Sequence, residues 1–265
     1  TGVHDPVEDA VVSSRHVECA DCHNPHATQA GASPGDTPSN VRGINLAGVE
    51  VDPATRTYEI CLRCHGDSPN KPAALTPRQH DQTNVRLEIQ TSNPSFHPVA
   101  GPGRNADVPS LIAPWTETSI VSCTDCHNSN SAASGGGTGP EGPHGSTFDP
   151  ILVDNYVTLD NTQESAGNYA LCYNCHSRTS ILNDTSFGEH DKHIRGESTP
   201  CNVCHDPHGV SGTQGNITNN SNLINFDTSV VSPRGNGDLR FVDEGDRRGT
   251  CFLVCHNEDH NDFNY

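Results

Sequence analysis

The stretch that decides the organisation of this chain reads Cys201-Asn202-Val203-Cys204-His205-Asp206-Pro207-His208-Gly209. Its first five residues form the C-x-x-C-H signature of c-type haem attachment. Both cysteines project from one face of a helical turn, so they can bond the two vinyl groups of one porphyrin, and His205 then ligates the iron. Pro207 disfavours continuation of the turn and redirects His208. The porphyrin plane separates His208 from that iron, so we expect His208 to ligate a neighbouring haem.

All twelve cysteines of the sequence belong to motifs of this kind. Numbered in chain order, motifs 1 to 5 are C-x-x-C-H and motif 6 is C-x-x-x-C-H, a spacing that also keeps both sulfurs on one helical face. The motif cysteines are Cys19 and Cys22, Cys61 and Cys64, Cys123 and Cys126, Cys172 and Cys175, Cys201 and Cys204, and Cys251 and Cys255. The histidines that follow them, here called proximal, are His23, His65, His127, His176, His205 and His256. The sequence therefore predicts six covalently bound haem c groups, each with its iron.

Two other structures could use twelve cysteines. An exported chain can form six disulfides, and paired C-x-x-C motifs can form zinc ribbons. Neither alternative explains why a histidine follows every second cysteine.

The composition is acidic and poor in apolar residues. The formal net charge is −18, and only Lys71 and Lys192 represent lysine, so the basic footprint of a nucleic-acid binder and a polybasic membrane patch are both missing. No apolar run approaches the roughly 18 residues of a membrane-spanning helix. Hydrophobic residues make up 31% of the chain, which is little for a core of side chains alone. We expect the porphyrins to supply the missing apolar surface.

The histidines are numerous enough to give every iron two imidazole ligands. There are sixteen histidines and no methionine, which excludes Met/His ligation. Three histidines in Pro-His pairs follow motifs 1, 3 and 5, and three others precede the same motifs. The predicted distal ligands are therefore His26, His144 and His208, together with His16, His97 and His193. The remaining histidines are His4, His80, His190 and His260. His80 is an alternative to His97 as a ligand, and His190 is an alternative to His193. His260 is an alternative ligand near motif 6.

The odd-numbered motifs are followed by a Pro-His pair, and the even-numbered motifs are not. Motif 3 reaches its Pro-His pair only after a Ser/Gly-rich insert at 129–142. Motif 2 pairs with motif 3 in residues 58–147, and motif 4 pairs with motif 5 in residues 169–209. Motif 1 (16–26) and motif 6 (250–260) have no partner within the chain.

We expect one unit, 1–265, whose unpaired ends meet in successive copies. Such a head-to-tail contact generates a filament or a ring. Either His16 or His26 would then ligate the His256 iron of an adjacent copy. The alternative is that the two end haems are simply unpaired.

Nineteen prolines and twenty-four glycines predict a mostly irregular fold wrapped around the haem chain. Helices should be confined mostly to single turns at the haem motifs, with a few short β-strands between them. Strands are predicted at 84–90, 151–159, 223–226 and 239–242, with a hairpin at 49–59 around Asp52-Pro53-Ala54-Thr55. Residues 129–142 and 209–222 are predicted to be surface loops.

The motifs resemble those of the doubled C-x-x-C-H multihaem cytochrome family. Six haems with unpaired end motifs are similar to the hexahaem cytochromes of metal-reducing microbes that polymerise into extracellular conductive filaments. The resemblance covers all six motifs, the Pro-His pairs and the segment His97-Pro98-Val99. It implies bis-histidine ligation, stacked haem pairs in alternating parallel and T-shaped contacts, and an axial histidine donated across the subunit interface. The insert before His144 departs from the compact form of the motif.

The function predicted from the sequence is electron transfer along six haems, as a subunit of an extracellular filament. Other redox proteins or extracellular electron acceptors are the expected partners. The chain starts at Thr1 without Met, so we expect a removed export signal and an extracellular or cell-surface location, with the periplasm as the alternative. A soluble periplasmic or cell-surface carrier is the alternative function. A multihaem reductase needs a five-coordinate haem, often with Lys in place of the proximal His; both lysines lie outside the motifs, so no enzyme is predicted.

Overall fold

The computed structural model describes residues 17–27, 36–69, 71 and 73–264, which are mostly turns and coil. The helices are α1 (Cys19–Cys22), α2 (Thr57–His65), α3 (Val85–Glu88), α4 (Cys123–Cys126), α5 (Ala170–Tyr173), α6 (Arg178–Leu182) and α7 (Cys201–Cys204), with a π-helical turn at Lys192–Gly196 and a 3-10 turn at Ser221–Leu223. The strands are β1 (Gly43–Ile44), β2 (Glu50–Val51), β3 (Ser95–Phe96), β4 (Gly209–Val210), β5 (Val231–Ser232), β6 (Arg240–Gly245), β7 (Arg248–Cys255) and β8 (Glu258–Asn264). The prediction of a mostly irregular fold with short helices and a few strands is confirmed.

Three antiparallel sheets tie distant parts of the chain together. β1 pairs with β2, and β3 pairs with β4, which brings Phe96 opposite Gly209. The C-terminal sheet is built on β7: β5 and β6 pair with it, and β8 pairs with it along Thr250 to Cys255. Both hairpins of this sheet turn through two residues with positive φ, Asp246 with Arg247 and His256 with Asn257, as the right-handed twist of hairpin strands favours.

Within the described residues, buried apolar side chains form four separate clusters instead of one continuous core. The largest, here called the C-terminal cluster, contains Val203, Ile224, Phe226, Val231, Phe241 and Leu253. The other three have three buried members each, and they contain Val41, Ala54 and Ile60, then Ile44, Leu62 and Ile89, then Tyr169, Leu182 and Ile194. Motif cysteines pack against the C-terminal cluster and two of the smaller ones. The apolar interior is thus divided into small patches that lie beside the motifs.

The helix predictions hold for five motifs and are wrong for motif 6. α1, α2, α4, α5 and α7 each contain motif cysteines, although α2 extends to nine residues. α3 and α6 contain no motif cysteine, although α6 begins just after motif 4. Cys251 and Cys255 lie in β7, because this segment pairs with strands on both of its edges.

The predicted strand at 84–90 is wrong, since residues Val85–Glu88 form α3. Val85 and Ile89 are four residues apart, and both pack into the cluster of Ile44 and Leu62. One helical turn brings them to the same face, so burial at this spacing outweighs the alternating pattern.

The predicted hairpin at 49–59 is also wrong. β2 pairs with β1, which precedes it in the chain, and not with a following strand, because Thr57 begins α2. The cause is Glu59, whose carboxylate accepts hydrogen bonds from the backbone N–H groups of Thr55 at 2.7 Å and Arg56 at 3.0 Å. This is the N-terminal capping arrangement that starts a helix.

The remaining local predictions had mixed outcomes. Residues 151–159 are coil with one isolated bridge at Leu152, and 223–226 have one at Ile224, so neither forms the predicted strand. The strand at 239–242 is confirmed as part of β6. Both predicted surface loops are partly wrong, because Ser129 and Ala132 are buried in 129–142, and Val210 and Asn220 are buried in 209–222.

None of the helices in the described residues has the length and apolarity needed to cross a lipid bilayer. The longest of them, α2, has nine residues.

Candidate functional site

The motif helices present their cysteines and the next histidine in a repeated way. In α1, α4 and α7 the helix begins at the first cysteine and ends at the second. The proximal histidine then closes the turn: its N–H bonds the carbonyl of the first cysteine at 2.8 Å for His23, 2.7 Å for His127 and 2.9 Å for His205. His176 makes the same bond at 2.9 Å. Two thiols on one helical turn and an imidazole directly after them are therefore local properties of the motif.

Two of these turns are fixed by an acidic residue between the cysteines. Asp125 accepts a hydrogen bond from the N–H of Ser122 at 2.7 Å, and Asp21 accepts one from the N–H of Glu18 at 2.9 Å. Ser122 also caps α4 by accepting from the N–H of Thr124. These bonds satisfy N–H groups that the first turn of a helix leaves without intrahelical partners.

The thiols of successive motifs approach one another in the order of the sequence. Cys61 of motif 2 shares a hydrogen bond with Cys123 of motif 3, and Cys172 of motif 4 shares one with Cys201 of motif 5. Burial raises the pKa of the Cys126 thiol to about 12, with a further contribution from Cys175. These contacts join motif 2 to motif 3, motif 3 to motif 4, and motif 4 to motif 5.

The thiols of motifs 1 and 6 also lie near the thiols of the neighbouring motif. Burial raises the pKa of Cys22, and the nearby thiols of Cys61 and Cys64 raise it further. Burial likewise raises the pKa of Cys204, to which Cys251 and Cys255 add. All twelve cysteines lie in the described residues. The six motifs therefore form one row with motif 1 at one end and motif 6 at the other.

Four pairs of histidine rings face each other at nearly the same separation. The ring centroids are 5.9 Å apart for His23 and His144, 6.1 Å for His127 and His208, 6.3 Å for His190 and His205, and 6.2 Å for His193 and His260. With imidazole–metal bonds of about 2.0–2.1 Å on each side, two rings that clamp one metal have centroids about 6 Å apart. The separation suits two axial ligands of one iron.

The second ring nitrogen of these histidines is held by the protein. Nδ1 contacts a backbone carbonyl oxygen in four cases, namely His127 with Pro150 at 3.2 Å, His193 with Glu189 at 2.7 Å, His205 with Asn222 at 2.9 Å, and His97 with Pro207. Nδ1 contacts a serine hydroxyl in two others, His176 with Ser110 at 3.0 Å and His190 with Ser186 at 3.1 Å. Metal-ligating histidines use their other nitrogen in this way, which fixes the tautomer and leaves Nε2 for the metal.

Burial lowers the pKa of His97, His127, His176, His190 and His205, which favours the neutral imidazole that binds a metal. Burial lowers the pKa of His176 to about 4, and the neighbouring His97 and His205 add to the shift. Burial lowers the pKa of His190 to about 3, with His205 as the next cause.

His208 differs from the other paired histidines. Its Nδ1 lies 3.4 Å from a carboxylate oxygen of Glu88, which is itself buried. Burial opposes protonation of His208, but the contact with Glu88 and the charge of Glu88 outweigh it and raise the pKa of His208.

The insert of motif 3 is closed at its neck, which returns the chain toward the motif. The N–H of Ser129 bonds the carbonyl of Gly142 at 3.0 Å, and the Asn128 side chain accepts from the N–H of Gly142 at 2.6 Å. Asn128 also donates to Glu141 at 2.6 Å. Fourteen residues are thus looped out, and His144 continues from a fixed point to face His23.

The predicted distal ligands have different outcomes. His144 and His208 each face a proximal histidine, and His97 lies near His176. His193 faces His260. The side chain of His26 is exposed. His16, like the spare His4, lies outside the described residues.

Two histidines treated as spare in the sequence lie in facing pairs. His190 faces His205, and His260 faces His193. Sequence reasoning had chosen His193 as the ligand and kept His190, three residues earlier, as the alternative. Both positions lie beside a motif, so proximity in sequence was the available signal.

Motif 6 departs from the geometry of the other five. Its two cysteines are four residues apart in β7, so their side chains lie on the same face of the strand. Four strand residues span about 13 Å, whereas the Cβ atoms of two cysteines three residues apart on a helix lie about 5–6 Å apart. His256 occupies the β7–β8 turn, and its Nε2 lies 3.0 Å from both carboxylate oxygens of Asp160. In this arrangement the nitrogen that would ligate iron already has a partner. The residues of motifs 1 to 5 fit a covalently held haem, and those of motif 6 do not fit without local rearrangement.

A scan against protein-family models and searches of curated proteins and of solved structures all found no match to this chain.

Proposed function

We propose that this chain is a multihaem c-type cytochrome that passes electrons along a row of covalently attached haems and has no catalytic centre of its own. The observation that carries the proposal is the set of facing imidazoles about 6 Å apart, which lie beside paired thiols. When bound, the haem supplies a one-electron Fe(III)/Fe(II) couple. The cysteines would hold the porphyrin, and two histidines would occupy both axial positions. An iron ligated on both faces has no open position for a substrate, unlike a catalytic metal.

The geometry favours a simple assignment of distal ligands. His208, after motif 5, faces the proximal histidine of motif 3, and His144, after motif 3, faces that of motif 1. Each Pro-His histidine thus serves the odd-numbered motif before its own. His97 precedes motif 3 and lies near His176 of motif 4. His193 precedes motif 5, and its ring faces His260, which follows motif 6. A histidine that precedes an odd-numbered motif would thus serve the next even-numbered motif. On this rule His16, which precedes motif 1, would ligate the His65 iron of motif 2.

The row of thiols supports electron transfer from haem to haem. Six porphyrins attached at these cysteines would follow one another in motif order, because the thiols of each motif lie near those of the next. The protein would control the current through axial ligands, burial and hydrogen bonding, which are its means of setting haem potentials.

The test is a count of covalent haems together with the spin state of their irons. We expect mass spectrometry of the purified holoprotein to give six haems per chain, low-spin spectra in both oxidation states, and no carbon monoxide binding after reduction. These results follow from two imidazoles on every iron. Fewer than five haems, or high-spin iron with carbon monoxide bound to the reduced protein, would contradict the proposal and favour a reductase.

Motif 6 has its own prediction. We expect its haem to be attached, with His193 and His256 as ligands, after His256 leaves Asp160 and the β7–β8 turn opens. His256→Ala should therefore lower the haem count from six to five, whereas His260→Ala should keep six low-spin haems. The opposite result would assign the axial position to His260, which lies opposite Leu253, between the two cysteine positions of β7. A wild-type count of five would mean that β7 remains a strand.

A filament is the form that the exposed His26 favours. The assignment rule sends each Pro-His histidine to the preceding odd-numbered motif, and these 265 residues contain no such motif before Cys19. We propose that His26 ligates the motif 5 iron of an adjacent copy. Sequence reasoning had placed this shared ligand on the His256 iron of motif 6. A discrete carrier that exchanges electrons with redox partners is the alternative, and an extracellular or cell-surface location remains part of the proposal.

A further inference from the structure

In the histidine pair of motifs 3 and 5, Nδ1 of His208 contacts a carboxylate. Six Nδ1 atoms contact neutral carbonyl or hydroxyl oxygens, whereas Nδ1 of His208 faces the Glu88 carboxylate at 3.4 Å. Glu88 is 4% exposed, so solvent screens its charge only weakly. Among the Nδ1 contacts described above, this one is therefore made to a buried carboxylate and not to a neutral oxygen.

The backbone is arranged to bring Glu88 to this position. Glu88 ends α3, and the side chain of Asn93 donates to its carbonyl at 2.7 Å. Gly209, the residue after His208, has φ +133°, and a Cβ there would lie 2.6 Å from the Glu88 carbonyl oxygen. Glycine is thus required for α3 and the Pro-His-Gly segment to approach this closely.

A second carboxylate in the cluster is already engaged. Asp206 is buried, lies 3.6 Å from the Arg78 guanidinium, and accepts from Asn225 at 3.0 Å and from the backbone N–H of His208 at 3.1 Å. Its charge is therefore balanced by Arg78. The ligand atoms of Glu88, Asp206 and His208 lie within 4.8 Å of one another, but the bonds of Asp206 direct this group toward holding His208 in place.

We propose that Glu88, acting through His208, lowers the reduction potential of the iron clamped by His127 and His208 below those of its neighbours; this inference rests on the proposed function. A carboxylate that faces Nδ1–H strengthens the imidazole as a donor to the metal. A buried negative charge also favours Fe(III) over Fe(II), because the interaction is weakly screened. The motif 3 haem would then be harder to reduce than its neighbours. An electron would therefore have a higher free energy on this haem than on the haems before and after it.

The experiment compares Glu88→Gln with wild-type holoprotein by spectroelectrochemistry and electron paramagnetic resonance. We expect one of the six haems to shift to higher potential, with about a tenfold change in its ratio of oxidised to reduced iron at fixed potential, which is about 59 mV for one electron. Its low-spin resonance should also move, since the donor strength of one imidazole changes. The shifted haem is assigned as the one whose signal is lost in His208→Ala.

Glu59→Gln is the matched control, because Glu59 is also a buried carboxylate but bonds the backbone of Thr55 and Arg56. It should leave the motif 3 haem unchanged. If Glu88→Gln does not mature, Glu88→Asp should give a smaller shift of the same sign in the same haem. Six haems with unchanged potentials and resonances in the Glu88 variants would overturn the inference but leave the proposed function intact. Absence of haem from the wild-type protein would remove the proposed function itself.

Discussion

Produced under conditions where no haem can be attached, the chain should show a circular dichroism spectrum without regular structure and no cooperative thermal unfolding. The reason is the division of its apolar interior into four clusters, of which the largest has six buried members. Motif cysteines pack at the edges of three of these clusters, where the porphyrins would bind. Asn202 also buries both polar atoms of its amide without a hydrogen-bond partner from the chain, at a cost of about 1–3 kcal/mol for each unsatisfied group. The holoprotein, by contrast, should unfold in a cooperative transition.

Two double variants give this expectation a matched comparison. Cys201→Ser with Cys204→Ser removes attachment where Cys204 packs against the C-terminal cluster, and it should prevent accumulation of folded protein. Cys19→Ser with Cys22→Ser removes attachment at the end of the row, where Cys19 is exposed, and it should cost one haem and little stability. Equal stability of the two variants, measured by thermal unfolding, would show that the haems do not organise the fold. A haem-free chain that unfolds cooperatively would show the same.

Local sequence chemistry was sufficient for the turns at motifs 1 to 5. Each depends on residues within five positions, such as the capping carboxylates of Asp21 and Asp125. The irregular character of the chain between motifs also followed from its proline and glycine content. The order of motifs along the row was accessible because neighbouring motifs lie next to one another in both sequence and space.

Contacts between distant segments were not accessible in this way. α3 forms because Val85 and Ile89 meet a cluster that includes Ile44, and no pattern within 84–90 specifies that neighbour. β7 is a strand because β5, β6 and β8 pair with it, although its cysteine spacing is equally suited to a helix. The oxygen atoms that hold Nδ1, such as those of Ser110 and Asn222, come from loops with no recognisable signature. The sequence could therefore identify the histidines but not what fixes their orientation.

His26→Ala should abolish polymerisation while leaving six low-spin haems in each chain. His26 is exposed, and the assignment rule gives it no proximal histidine to serve within these 265 residues. Within one copy the motif 5 iron can use His190, whose ring faces His205 at 6.3 Å. We expect the incoming His26 of the next copy to replace His190 on assembly, so loss of His26 removes the bond between copies. Loss of a group that only supports a metal ligand typically costs 10–100-fold in affinity, and loss of the ligand itself should cost at least as much. We therefore expect no His26→Ala filaments at about a hundred times the protein concentration at which the wild type assembles.

His190→Ala provides the converse test, because it removes the ligand that we expect to serve unassembled copies. Dilute His190→Ala protein should have one high-spin iron per chain, which becomes low-spin as filaments form under electron microscopy. His80→Ala is the matched histidine control: His80 is held through its backbone by Asn225, and its loss should change neither spin state nor assembly. Filaments from His26→Ala with wild-type yield would exclude ligand exchange at the interface. A dilute His190→Ala protein with all six irons low-spin would exclude His190 as the ligand that His26 displaces.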